Sequence, residues 1–144
     1  MDDRMKEIRQ LLLGRFVHGE DGCLTARPTG QRADIRSVQG VSTGWGAVHF
    51  LGIAHREQRI PMSAGTAEES LEDVMKTLGR PVRLETAPTL SACLIQRLMV
   101  SPIVLEAFRD GDEIKATAYT ARGTVSQLTC RRALRALEKA LRQE

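Results

Sequence analysis

Asp110-Gly111 lies between two apolar-rich segments, 103–108 and 113–119. An Asp-Gly pair suits the two-residue turns whose backbone twist matches that of paired strands. The segments are therefore expected to form a hairpin, and a hairpin commits its part of the sheet to antiparallel pairing. In the second arm Ile114, Ala116 and Ala118 alternate with Lys115, Thr117 and Tyr119. That period of two predicts one buried face and one wet face.

The remaining elements can be placed around this hairpin. A first helix is expected from Asp2 or Asp3 to about Leu13. The two aspartates face the positive end of the helix dipole, and Gly14 stops the helix. Strands are expected over 15–17 and 23–26, flanking a turn over 18–22, and a weaker one over 33–38. The segment 47–54 is apolar on both faces, which places it in the middle of a sheet. Thr66 and Glu69 form a capping box for a second helix. Its Leu71, Val74, Met75 and Leu78 recur at helical spacing, and Gly79 and Pro81 end it. A short strand over 82–85 follows. Leu90, Leu94, Ile95 and Leu98 suggest a third helix over 89–99, and a last helix runs over 124–142.

The resulting order is α-β-β-β-β-α-β-α-β-β-α. It predicts an α+β fold: a single domain over 1–144, with a largely antiparallel sheet packed by about four helices and closed by a long C-terminal helix. A chain of 144 residues and 15.9 kDa suits one core of ordinary domain size.

No apolar run approaches the ~20 residues a membrane-spanning helix needs. The start, Met1-Asp2-Asp3-Arg4, is acidic where a secretory leader is cationic. A cytoplasmic protein without membrane contact is expected. Cys23, Cys93 and Cys130 are few, widely spaced and free of any C-x-x-C, so disulfide and zinc scaffolds are not expected. Arginine outnumbers lysine 17 to 4 and asparagine is absent. No site in this chain can use an asparagine ligand, oxyanion donor or adenine reader.

The motifs with chemical content are weak. Gly40-Val41-Ser42-Thr43-Gly44 matches G-x-S-x-G, but a nucleophile elbow needs a strand before it and a helix after it. Gly40, Gly44 and Gly46 leave backbone N–H groups open to a ligand. Gly44, Trp45 and Gly46 are therefore candidate ligand-binding residues, with Trp45 as the recognition side chain. His49 and His55 fall on one face of a strand about 20 Å apart, too far to share a metal. His18 and Cys23 flank a turn and are a candidate imidazole–thiol pair. Glu113-Ile114-Lys115 beside Asp110 and Asp112 resembles a magnesium-binding E-x-K, although aspartates at a turn have backbone reasons of their own. No Walker A or dinucleotide fingerprint occurs. No catalytic residue, metal ligand or cofactor is assigned.

Charge is uneven along the chain. Residues 1–65 carry 9 basic and 7 acidic groups, residues 66–121 carry 6 and 9, and residues 122–144 carry 6 and 2. The overall charge of +3 is smaller than the +4 of the last segment. Arg131, Arg135, Lys139 and Arg142 recur at helical spacing beside the apolar stripe Cys130, Leu134, Leu137 and Leu141, with Arg132 adjacent. These five cations are the candidate residues for a polyanion or a protein partner. Three functions are expected, in order of preference. The first is a non-enzymatic binding or adaptor module that contacts a protein partner or its own copy as a homodimer. The second is a nucleic-acid or polyanion binder using the basic helix. The third is a ligand-binding protein or enzyme using the 40–46 loop.

Overall fold

The computed structural model describes residues 3–27, 52–61, 68–96 and 101–142. Along these run α1 (Asp3–Leu12), β1 (Phe16–His18), β2 (Leu24–Ala26), β3 (Ile53–Pro61) and α2 (Glu68–Leu78). Then come β4 (Arg80–Val82), β5 (Ser91–Ile95), β6 (Ile103–Asp110), β7 (Glu113–Ala121) and α3 (Ser126–Arg142). The β6–β7 hairpin forms as the Asp110-Gly111 signal requires. Asp110 pairs with Glu113, and Gly111 takes the left-handed φ of 64° that the turn needs.

The strands form one seven-stranded sheet in the order β1-β2-β4-β5-β6-β7-β3. Every neighbouring pair is antiparallel except β2 and β4. Those two run parallel and meet at Leu24 and Val82, where Arg83 N also donates to Leu24 O at 2.9 Å.

The architecture expected from sequence is corrected here. Among the described residues three helices accompany a mixed, seven-stranded sheet, rather than about four helices packing a largely antiparallel one. Within the segment expected as the third helix, residues 91–95 form β5. Its leucines fit a helical period, but Ala92, Cys93, Leu94 and Ile95 are all buried, which is the signature of a strand covered on both sides. The parallel contact forms where the chain, after β3 at the other end of the sheet, returns through α2 to lie beside β2. The segment expected mid-sheet is corrected too. Its described part, from Gly52, leads into β3, which among the described residues is an edge strand, with His55, Arg56, Glu57 and Arg59 exposed. The apolar residues hid a polar continuation.

The sheet carries a core on each face. On one, Leu71, Val74 and Met75 of α2 and Cys130, Leu134 and Leu137 of α3 pack on Cys93, Leu105, Ala116 and Ala118. On the other, Ile8, Leu11 and Leu12 of α1 cover Phe16, Leu24, Leu94, Val104 and Tyr119. The second core explains why the expected wet face of β7 is largely dry. Thr117 and Tyr119 are only 7% and 3% exposed. Gly79 shapes the α2–β4 corner: a Cβ there would stand 2.6 Å from the carbonyl oxygen of Leu94.

Candidate partner-binding surface

The seventeen residues of α3 repeat apolar groups at helical spacing, so one stripe must be buried. Cys130, Ala133, Leu134, Leu137 and Leu141 fill that role. The Cys130 Sγ donates to Ala118 O at 3.5 Å, which sets the helix over β7. Burial pushes this thiol up to about 11, and nearby Arg56 opposes the rise.

Two hydrogen bonds fix which flank of α3 looks toward β3. Gln127 Nε2 donates to His55 O at 3.2 Å, and Gln58 Nε2 donates to Glu138 Oε2 at 2.8 Å. At 3.6 residues per turn, Gln127, Arg131, Arg135, Glu138 and Arg142 follow at steps of three and four and form one ridge. The ridge places exposed Arg131 and Arg135 beside the sheet edge. Arg142 Nη2 is held by Glu138 Oε1 at 2.8 Å, so part of its charge is spent within the helix.

β3 alternates in the same sense. Ile60 belongs to the α2–α3 core and Gln58 reaches Glu138, so Arg56, two residues earlier, also lies on the α3 side. His55, Glu57 and Arg59 lie on the opposite side. There the His55 ring stands 6.1 Å from that of Tyr119, and Arg59 Nη1 pairs with Glu113 Oε1 at 2.5 Å. On its inner side β3 pairs with β7 over all nine residues. Among the described residues no strand pairs with its outer side. An unpaired strand edge presents a row of backbone donors and acceptors to whatever can match them.

The five cations singled out from sequence therefore divide. Arg131, Arg135 and Arg142 line the β3 flank. Lys139, with Arg135, Glu138 and Arg142, borders a shallow depression further round the helix. Arg132 lies on the other flank, at a cavity of about 210 Å³ between α2, α3 and the sheet whose walls include Leu78, Ile95, Ile103 and Ala133. Sequence reasoning missed Arg56. Only the pairing of β3 with β7, some sixty residues apart in sequence, brings it beside α3.

Other singled-out residues separate as well. Gly40, Gly44, Trp45, Gly46 and His49 lie outside the described residues. His18 pairs in register with Leu24, not Cys23, and Arg80 Nη2 approaches His18 Nε2 at 3.1 Å. Partial burial, followed by Asp21, raises the Cys23 thiol, the reverse of activation. Glu113 of the E-x-K is engaged by Arg59. Among the described residues no group of three His, Cys, Asp or Glu side chains gathers in a way that could hold a metal ion.

A buried polar cluster lies under α1. Arg4 Nη2 donates to the Tyr119 hydroxyl at 2.8 Å and pairs with Glu106 Oε1 at 2.9 Å. Tyr119 Oη donates to the same Glu106 Oε1 at 2.8 Å. Glu106 is only 4% exposed, and its other oxygen has no partner among the described residues. Burial pushes its carboxyl above the ordinary range, with Tyr119 and Arg4 pulling the other way and Glu57 and Glu7 adding to the rise. The Tyr119 hydroxyl is raised by burial and then by Glu106.

Compared with protein-family models, with characterised proteins and with solved structures, the chain matches none. Among the described residues no helix is long and apolar enough to cross a membrane.

Proposed function

We propose that this chain is a binding module that works by contact with a protein partner, docked along the outer edge of β3 beneath the β3-facing flank of α3. One observation carries the reading. A nine-residue edge strand, paired on its inner side throughout, has no strand on its outer side among the described residues and is flanked by exposed arginines. Backbone groups along such an edge give affinity, and alternate side chains give selectivity. Polyanion binding through α3 has narrower support, because Arg132 lies on the other flank and Arg142 is engaged by Glu138.

The test is affinity purification of the tagged chain from the cells that make it, followed by hydrogen exchange on the isolated complex. The expected result is a complex of fixed stoichiometry in which the amides of β3 exchange more slowly than in the free chain. A monomer that elutes alone contradicts the reading, and so does a complex that leaves β3 exchange unchanged.

A further inference from the structure

The two sides of the β3 edge differ in charge, and the difference has the period of a strand. On the α3 side stand Arg56, Arg131 and Arg135, none of them in an ion pair with a described residue. The acidic group among them, Glu138, is occupied by Gln58 and Arg142. On the α1 side Arg59 and Lys115, which is in register with it, are balanced by Glu113 and Glu57. An occupant therefore meets surplus positive charge on one face only. In an extended segment every second side chain points to the same face.

Resting on the reading above, we infer that the partner segment is an acidic extended strand, with carboxylates at alternate positions, that pairs with β3 so that these carboxylates face Arg56, Arg131 and Arg135. Two competitors fit less well. A DNA duplex meets the arginines, but its sugar–phosphate backbone supplies no donors for the carbonyls of the strand edge, and Glu57 opposes its phosphates. A second copy that pairs its β3 antiparallel, through a two-fold axis normal to the sheet, keeps α3 on the same face of the joined sheet. The arginine ridges of the two helices would then oppose one another. Like charges set against each other are unfavourable.

The experiment uses three fluorescent probes with the full chain. The first is a peptide of β3's own length that alternates glutamate and threonine. The second has the same composition with the glutamates in one block, and the third is a short DNA duplex. The alternating peptide is expected to bind and to slow hydrogen exchange within residues 53–61. The block peptide is expected to bind more weakly. The doubly reversed variant Arg131→Glu with Arg135→Glu changes only exposed helix positions, and it is expected to weaken the alternating peptide by about tenfold. Equal binding of the two peptides overturns the inference, because charge without strand geometry would then suffice. Binding without protection of β3, no binding of either peptide, or preference for the duplex also overturns it. Protection of β3 that grows with chain concentration alone assigns the edge to a second copy, and overturns it equally. A native partner that protects β3 but is not acidic removes this inference and leaves the proposed function standing.

Discussion

Glu7 ties the start of the chain to its middle. Its carboxylate accepts from Glu85 N at 2.6 Å, Thr86 N at 3.2 Å and Thr86 Oγ1 at 2.5 Å. A side chain on α1 thus satisfies the turn after β4, where helix and strand ladders offer no acceptors. Glu7→Ala leaves those N–H groups without this acceptor, and the expected cost is about 1–3 kcal/mol in urea unfolding. Glu106 behaves differently, because burial raises its carboxyl in the folded state. Such a group contributes stability below the titration of an unfolded glutamate, near 4.3, and loses it as pH rises through the higher folded value. The melting temperature of the wild type relative to Glu106→Gln should therefore be greatest at acid pH and decline as pH rises. A flat difference across that window would show that burial does not control this carboxyl.

At the scale of elements, the α2–β4 corner admits no side chain at Gly79. The atom a Cβ would strike is the backbone oxygen of Leu94, in a strand paired on both sides, so it cannot swing away. Gly79→Ala should cost about 1–3 kcal/mol, seen as a lower urea midpoint with an unchanged denaturant slope. The sequence carried this corner only as a helix stop. Local signals were read well where they act locally: the Asp110-Gly111 turn, the period of α2, and the inward stripe of α3. They failed for 91–95, because a short run of buried apolar residues fits both a helix and a two-faced strand. They failed again at β3, because edge or centre is decided by which strands lie beside it. The candidate surface was half visible. Helical spacing gave the arginine ridge, but no local pattern places Arg56, or a strand edge unpaired among the described residues, under it.

At the scale of the molecule, each face of the sheet is sealed by its own helices. Cys93 and Cys130 are fully buried, and burial raises the Cys93 thiol to about 12. Cys23 alone is partly accessible, in the β1–β2 turn. A thiol reagent applied to the native protein should label Cys23 and leave the other two unreacted until denaturant is added. Rapid native labelling of Cys93 would mean that the sheet opens far more often than its packing implies. The reactivity of Cys93 and Cys130 therefore reports on the sheet as a whole.

The single parallel contact between β2 and β4 has a mechanical consequence. Five strands, β4 through β7 and β3, are joined by antiparallel ladders, whereas the backbone of the β1–β2 hairpin is stitched to them by one registered residue pair and the bond from Arg83 to Leu24, with Arg80 to His18 and Arg83 to Asp21 added between side chains. A sheet opens first along its sparsest seam. Helix α1 crosses that seam, packing on Leu24 on one side and Val104 on the other. Loosening α1 should let the hairpin peel away while the five-strand block and its β3 edge stay folded. The end of the sheet farthest from the proposed docking edge is thus the natural place for the molecule to begin to unfold.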